Sequence, residues 1–338
     1  MILLVISVLC WGSWASTLKA AGKRRFEVYY YDFAIGTLVA ALLLGFTFGS
    51  LGWDGFSLLD DLRNAGKRQD LWAFLAGCIF NLANMLLLAC VSIAGMTVAF
   101  PVVMGVSLVV VTLWTYFAAP GANPLLVGAG CLCLLGGVIA ASLAYKSYAT
   151  SRFLMLVEQG KTKSTKKSFN AKALLAGVVG GILMGAHYPL LQLARDPDIG
   201  LGPYGLLVMF SAGILFSTFV YNLFFMNLPI AGKVLDFAEY FKGTGKMHLM
   251  GVLGGALWVL AAVANFVAAR AEGAAAVGMP LSFAVAQGAT LVSALWGLLV
   301  WKDLDASDSK VKTLVTGMLV LTMVGILLVS IAHIYGLK

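Results

Sequence analysis

Residues 71–118 read LWAFLAGCIFNLANMLLLACVSIAGMTVAFPVVMGVSLVVVTLWTYFA, two long apolar segments joined by only a few residues. Each segment reaches the ~20 residues that a helix needs to cross the hydrocarbon core of a bilayer. The short connection makes the two segments an antiparallel pair. Residues 247–269 and 274–301 repeat this arrangement later in the chain, which predicts a membrane protein built from two similar halves.

The composition of the whole chain agrees with that class. Of the 338 residues, 61% are hydrophobic and only 11% are charged, and the mean hydropathy is +0.93. A soluble protein of this length needs far more charge on its surface. The expected fold class is therefore an all-α, multi-pass integral membrane protein in contact with the lipid bilayer.

The apolar pattern contains ten spans, and each half has five of them. Because five is an odd number, the second half enters the membrane in the opposite orientation. We expect ten transmembrane helices in two inverted five-helix repeats, residues 1–146 and 172–338, separated by a basic central loop, residues 147–171. The predicted spans are 1–18, 28–49, 71–90, 97–118, 124–146, 172–193, 203–226, 247–269, 274–301 and 311–335.

Several residues recur in the same order in both halves. Inverted repeats of this kind are frequent in secondary transporters, where the substrate site lies between the halves. The matched pairs are Asn84 with Asn265, Pro101 with Pro280, Trp114 with Trp296, Gly12 with Gly185, and Trp14 with His187.

Lysine and arginine are concentrated in the loops that follow odd-numbered spans, notably residues 19–25 and 161–167. Basic loops stay in the cytoplasm during membrane insertion. Both termini are therefore predicted outside and the central loop inside, and the expected location is a bacterial cell membrane.

Asp32 is the main ionisable candidate within a predicted span, close to its cytoplasmic boundary. As a functional residue it is the proton-coupling carboxylate, because burial favours the protonated form of a carboxyl group. The structural alternative is an interfacial aspartate near a helix N-terminus, balanced by Arg24 and Arg25. Both interpretations stay open.

Amides and one histidine form a candidate substrate site within the spans. Their donors and acceptors suit a neutral polar substrate, although amides that only join helices typically contribute ~0.6 kcal/mol per bond. His187 precedes Pro189, which is expected to kink or break the helix there; a histidine bonded by a neighbouring helix is the alternative. The candidate substrate-binding residues are Trp14, Asn81, Asn84, His187, Tyr188, Gln192, Asn265 and Gln287.

Three prolines are candidate gating or hinge positions. Pro101 and Pro280 begin the fourth and ninth spans, and Pro189 lies within the sixth. Ordinary prolines at helix starts are the alternative interpretation for the first two.

Motifs of other functional classes are incomplete. Residues 160–162 are Gly-Lys-Thr, but Met155 stands where a phosphate loop needs its first glycine. No cluster of His, Asp or Cys has catalytic or metal-ligand spacing, so we expect no enzyme, metal or cofactor. The expected partners are a small-molecule substrate and protons, without nucleic acid, and the sequence carries no signal for an oligomeric state.

Short motifs along most of the chain resemble the plant ureide permeases. Residues 12–15 (Gly-Ser-Trp-Ala) and 31–33 (Tyr-Asp-Phe) are similar to the opening of that family. Residues 189–194 resemble its Pro-x-x-Asn-Leu-Ala motif, with Gln192 in place of asparagine. Gln287, followed by residues 291–297, resembles its ninth span. Ten spans in inverted halves also resemble the wider drug/metabolite transporter superfamily.

The resemblance implies proton-coupled uptake, by alternating access, of ureides and related heterocycles such as allantoin, uracil and xanthine. Bacterial glucose, ribose and rhamnose porters of the same superfamily are the main alternative, because sugars are also neutral and form many hydrogen bonds. An exporter of metabolites or drugs, with an apolar cavity lined by residues such as Met209–Met226, is a further alternative.

The predicted orientation is testable with a cysteine introduced at Lys163 in the central loop. We expect a membrane-impermeant thiol reagent not to label Lys163→Cys in intact cells and to label it after lysis. Asp198→Cys, in the next loop, is the matched control and should label in intact cells. Ready labelling of Lys163→Cys in intact cells would contradict termini that lie outside.

Overall fold

The structure is a computed structural model that describes residues 2–22, 24–51, 57–118, 121–160, 171–196, 198–270, 282, 285–332 and 334–336. The regular secondary structure of these residues is helical throughout. In chain order the α-helices are α1 Ile2–Ser13, α2 Ser16–Ala20, α3 Phe26–Phe46, α4 Leu58–Asn64, α5 Lys67–Ala94, α6 Met96–Ala118, α7 Pro124–Glu158, α8 Ala171–Ala194, α9 Pro203–Asn227, α10 Gly245–Arg270, α11 Ala289–Leu295 and α12 Ser309–Ala332. Short 3₁₀ turns cover Phe48–Ser50 and Phe237–Tyr240, and a π-helical turn, Trp296–Val300, follows α11.

Eight of the described helices are long and apolar enough to cross a membrane. Two shorter apolar helices, Ile2–Ser13 and Ala289–Val300, lie within the first and ninth predicted spans. The chain is therefore an all-α, multi-pass membrane protein, as the sequence predicts. Ten crossings in inverted repeats stay a prediction, because residues 274–281 of the ninth span lie outside the described residues.

The first span is interrupted between α1 and α2, at Trp14 and Ala15. Backbone groups that leave a helix inside a membrane need other partners. Here the Trp14 carbonyl accepts a 2.7 Å bond from Thr17 Oγ1, and the Gly12 carbonyl accepts a 2.8 Å bond from Ser293 Oγ. The Trp296 indole also donates to Ser13 Oγ at 2.9 Å. The ninth span thus holds the interruption in place.

The sequence predicts such a break at Pro189, but α8 continues through it to Ala194. A proline removes only one backbone donor, and the remaining turns keep the helix intact. The fifth span also differs from its predicted bounds, since α7 runs on to Glu158, into the segment predicted as the central loop. The lysine-rich residues 161–170 of that loop lie outside the described residues.

Two helix crossings are so close that only glycine fits. Where α10 crosses α3, a Cβ atom on Gly255 would lie 2.3 Å from the Phe33 carbonyl oxygen. Where α5 crosses α9, a Cβ on Gly77 would lie 2.1 Å from the carbonyl oxygen of Phe210. Small residues allow helix backbones to touch in this way inside lipid.

The helices around these two crossings pack in a similar way in the two halves of the chain. Helix α1 packs against α10 and α11, whereas α8 packs against α5 and α6. A Cβ on Gly12 would lie 2.4 Å from Val292 Cβ, and one on Gly185 would lie 2.6 Å from Val110 Cβ. Helices α7 and α12 pack against each other.

The buried carboxylate of Asp303 contacts several chain segments near the start of α6. Asp303 Oδ1 lies 2.8 Å from Lys19 Nζ in α2, and its side chain is only 3% exposed. Asp303 Oδ2 accepts hydrogen bonds from the backbone N–H groups of Met96 and Thr97, at 2.6 and 3.3 Å. A carboxylate at this position satisfies backbone donors at a helix start and complements the helix dipole.

The close crossings predict that Gly77→Ala destabilises the protein. The new methyl group would meet the Phe210 carbonyl and force α5 and α9 apart, so we expect a loss of about 1–3 kcal/mol of unfolding free energy. Gly128→Ala is the matched control, because a Cβ there meets nothing within 4 Å. Unfolding in detergent measures both. Equal stability of the two variants would contradict the contact.

Candidate functional site

A cavity of about 90 Å³ lies between helices from both halves of the chain. Its wall combines residues of α1, α5 and α6 with residues of α8, α9, α10 and the middle of the ninth span. Eight of the nineteen lining residues are aromatic: Trp11, Trp14, Phe80, Phe100, Tyr188, Phe210, Trp258 and Phe266. The polar residues in the wall are Asn84, Ser107, His187, Asn265, Gln287 and Thr290.

Four of the aromatic side chains, Trp11, Phe80, Phe210 and Trp258, form one connected group around Trp258. The rings of Phe210 and Trp258 are nearly parallel, with an interplanar angle of 5° and centroids 5.7 Å apart. Phe80 and Trp11 contact the same indole, with centroid distances of 4.7 and 6.1 Å. Such faces attract flat, apolar surfaces. The wall therefore suits a planar group better than a bulky one.

His187 supplies a hydrogen-bonding group of defined polarity. Its Nδ1 bonds to the Met184 carbonyl on its own helix, and its ring contacts the rings of Phe80 and Phe210. A carbonyl oxygen only accepts, so in the neutral ring Nδ1 carries the hydrogen and Nε2 is an acceptor. The residue is 7% exposed, at the cavity wall.

Three polar atoms of the wall have no hydrogen-bond partner among the described residues. Asn84 Nδ2 donates to the Tyr30 hydroxyl at 3.0 Å, which leaves Asn84 Oδ1 unpaired. Ser107 Oγ and Trp11 Nε1 are unpaired as well. A buried polar atom without a partner typically costs about 1–3 kcal/mol. A ligand that offers a donor to Asn84 and an acceptor to Trp11 would recover that cost.

The structure brings together six of the eight residues that the sequence selects for substrate binding. The cavity wall includes Trp14, Asn84, His187, Tyr188, Asn265 and Gln287. Asn81 lies elsewhere, because its Nδ2 bonds to Ser217 and Thr218 of α9 at 2.8 and 3.1 Å. Gln192 is exposed.

The candidate hinge positions are not part of the described cavity wall. Pro101 lies inside α6 and Pro189 inside α8, and both helices continue through the proline. Pro280 lies outside the described residues. The structure leaves their role as hinges a prediction.

Sequence reasoning missed several aromatic residues of the wall. Phe80 precedes Asn84 by four positions, Trp258 precedes Asn265 by seven, and Trp11 precedes Trp14 by three. These spacings place each aromatic on the same helix face as its polar partner. Counting helical turns from the amides and from Trp14 would have found all three.

Asp32 lies away from the cavity, in a second buried cluster. Its Oδ2 is 3.1 Å from Arg24 Nη1, and both side chains are 4% exposed. His248 Nδ1 lies 3.0 and 2.9 Å from Oδ1 and Oδ2 of the same carboxylate, and the Tyr240 hydroxyl donates to Oδ1 at 2.6 Å. We call Arg24, Asp32, Tyr240 and His248 the Asp32 cluster. His248 had no sequence signal, since it lies far from Asp32 in the chain.

Tyr240 acts in this cluster as a donor only. Burial and its hydrogen bond to the Asp32 carboxylate raise the pKa of Tyr240 to about 12. The hydroxyl group therefore keeps its hydrogen at physiological pH and continues to donate to Asp32.

Among the described residues, no three His, Cys, Asp or Glu side chains converge as metal ligands. The polar groups of the cavity are amides, hydroxyls, an indole and an imidazole, which donate and accept hydrogen bonds.

Ureide permease 4 from Arabidopsis thaliana is 24% identical over 98% of this chain and 96% of its own length. The chain is similar to ureide permeases over nearly its whole length. Ureide permease 1 and ureide permease 5 of the same plant are 23% and 24% identical, covering 98% and 97% of this chain. No protein-family model matches. The similarity to permeases indicates a transport protein rather than an enzyme.

One solved crystal structure shares the fold. It matches with a TM-score of 0.53 and 16% sequence identity, and the match covers 95% of this chain and 94% of the other. The helical arrangement described above therefore occurs in another protein of similar length.

The two neighbouring asparagines predict different effects on stability. Asn81→Ala removes bonds to Ser217, Thr218 and the Ile214 carbonyl, so we expect a loss of about 1–2 kcal/mol. Asn84→Ala removes one bond, to Tyr30, and should cost about 0.6 kcal/mol. Unfolding of both variants in the same detergent measures the difference. A larger loss in Asn84→Ala would show that Asn84 joins helices rather than serving the cavity.

Proposed function

We propose that this protein is a secondary transporter for small, neutral, planar molecules that carry amide-type N–H and C=O groups, as ureides and nucleobases do. The observation that carries the proposal is the aromatic cavity between the halves, with its unpaired Asn84 Oδ1 and Trp11 Nε1. The similarity to proteins named ureide permeases supports the same substrate class.

The chemistry of the wall favours a neutral substrate. None of the described lining residues is Asp, Glu, Lys or Arg. A charged substrate would lose its hydration without gaining a counter-ion, which is costly in surroundings of low dielectric constant. A sugar is also neutral, but the parallel rings of Phe210 and Trp258 match a flat ring more closely.

We further propose alternating access between two inverted repeats. Helix α1 packs against α10 and α11, and α8 packs against α5 and α6. If the first five spans correspond to the last five, the contact of the first span with the eighth and ninth corresponds to the contact of the sixth span with the third and fourth. This pattern supports rocking of the repeats about the cavity between them.

Coupling to protons is the third part of the proposal. Asp32 is the proposed carboxylate of the coupling site, and its cluster joins α3 of the first half to the start of α10 in the second. Buried ionisable groups in membrane proteins commonly mark proton pathways. A proton bound in this cluster would act on a contact between the two halves.

Uptake into proteoliposomes tests the proposed function. The purified full chain would be reconstituted and given radiolabelled allantoin, uracil, xanthine, glucose, ribose and rhamnose, with and without an inward proton gradient. We expect the gradient to drive accumulation of at least one planar amide compound and of no sugar. Asn84→Ala should weaken that uptake more than Asn81→Ala, because only Asn84 lines the cavity.

Other outcomes of the panel would contradict the proposal in distinct ways. Accumulation of a sugar alone would replace the substrate class. Equal uptake with and without the gradient would remove proton coupling while keeping transport. Efflux driven by an outward-directed metabolite gradient, without gradient-driven uptake, would favour an exporter.

A further inference from the structure

The Asp32 cluster contains one nitrogen with two incompatible partners. His248 Nδ1 lies 2.9 Å from Asp32 Oδ2 and 3.2 Å from Nη2 of Arg24. A ring nitrogen carries either a hydrogen or a lone pair. With a hydrogen it donates to Asp32 and is repelled by the Arg24 N–H. With a lone pair it accepts from Arg24 and is repelled by the carboxylate.

Proton binding to the ring decides between these partners. A protonated imidazole carries a hydrogen on each nitrogen and a positive charge, so it only donates. The Asp32 carboxylate then gains a second cation, while the Arg24 guanidinium faces a like charge 3.2 Å away. The repulsion is strong because both side chains are largely removed from water: Arg24 is 4% exposed and His248 is 28% exposed.

We propose that His248 binds the coupling proton, and that its protonation exchanges Arg24 for His248 as the cationic partner of Asp32. This inference rests on the proton-coupled transport proposed above and names the residue that carries the proton. The proton is held on an imidazole nitrogen, and the Asp32 carboxylate remains its counter-charge. The carboxylate is suited to that role, since the Tyr240 hydroxyl donates to its Oδ1 and the Arg24 guanidinium lies 3.1 Å from its Oδ2.

The other groups near His248 do not offer a competing proton site. The Tyr240 ring lies 4.8 Å from the imidazole and keeps its hydroxyl hydrogen, as described above. Tyr29, one turn before Asp32, is fully buried and bonds to Thr17. Lys246, on the same helix as His248, is exposed. Imidazole side chains are common proton carriers in proteins near neutral pH.

The contact between Arg24 and Asp32, which protonation would break, is connected to the cavity wall through neighbouring residues. Arg24 lies in the connector between α2 and α3, and α2 follows Trp14. From α3, the Tyr29 hydroxyl lies 2.6 Å from Thr17 Oγ1 of α2. The next residue, Tyr30, accepts the bond from Asn84 that orients the unpaired oxygen of the cavity. Release of Arg24 therefore loosens the connector beside two residues of the wall.

The first experiment compares His248→Gln with Asp32→Asn in proteoliposomes loaded with allantoin. Glutamine keeps a donor and an acceptor but binds no proton. We expect His248→Gln to retain exchange of internal for external allantoin and to lose accumulation driven by the proton gradient, and Asp32→Asn to do the same. Lys246→Gln is the matched control, which removes a nearby exposed charge and should accumulate allantoin like the wild type.

A second measurement does not depend on transport. Amide hydrogen exchange at Ala21, Gly22, Arg24 and Arg25 should rise several-fold in the wild type when the pH is lowered, after correction for intrinsic exchange, because protonation of the imidazole releases Arg24. His248→Gln should show no such rise, and Lys246→Gln should show it in full.

The outcomes separate this inference from the proposed function. Gradient-driven accumulation that survives in His248→Gln but fails in Asp32→Asn would place the proton on Asp32 and overturn the role of His248. An equal rise of exchange in His248→Gln and the wild type would also overturn it. Absence of gradient-driven accumulation in the wild type would instead contradict proton coupling itself. The hydrogen-exchange measurement would then still test whether His248 replaces Arg24 as the partner of Asp32.

Discussion

Direct contact between helix backbones is the constraint on which the rest of this structure depends. At the α3/α10 and α5/α9 crossings, glycines remove the side chains that would otherwise keep the helices apart. In lipid, helices gain little from hiding apolar surface, so close packing and hydrogen bonds supply most of the association energy. The positions of the crossings also determine where large side chains fit between the helices. Phe80 and Trp258, near the middle of α5 and α10, meet across the space that the packed backbones leave.

Polar groups in this chain differ in how fully their hydrogen bonds are satisfied. Some that join helices have several partners: Asn81 has three and the Asp303 carboxylate has three. In the cavity wall, Asn84 Oδ1 and Trp11 Nε1 have none among the described residues. Unpaired buried atoms also occur outside the wall, as at Asn222 Oδ1. Asn81 and Asn84 lie on one helix, a single turn apart, so residue type alone does not separate a helix contact from a cavity residue.

Much of the cavity could be predicted from the sequence because residues that recur in the same order in the two parts of the chain line it together. Trp14 with His187, and Asn84 with Asn265, were paired by position in the repeat, and all four line the cavity. Periodicity also predicted the membrane class, since crossing a bilayer requires long apolar helices. The break in the first span was not predicted, because Ser293 and Trp296, which stabilise it, are nearly the whole chain away.

The polar contacts outside the cavity could not be predicted from the sequence for the same reason, because they join residues that are distant in the chain. Asn81 and Asn84 have equal spacing and chemistry, and only the position of α9 shows that Asn81 is a helix contact. His248 becomes a partner of Asp32 through tertiary packing, which no local pattern encodes. Pro189 illustrates the opposite case, in which a strong local signal is overridden because the surrounding turns keep α8 continuous.

The buried Asp303 carboxylate has a mechanical consequence. It holds Lys19 of α2 and the first backbone amides of α6, and it follows directly on the π-helical turn of the ninth span. Three segments that are distant in the chain are therefore held together by one buried carboxylate. A shift of one segment at this end therefore either moves the other two with it or removes donors from a buried carboxylate. These contacts favour joint movement of the three segments over independent movement of any one of them.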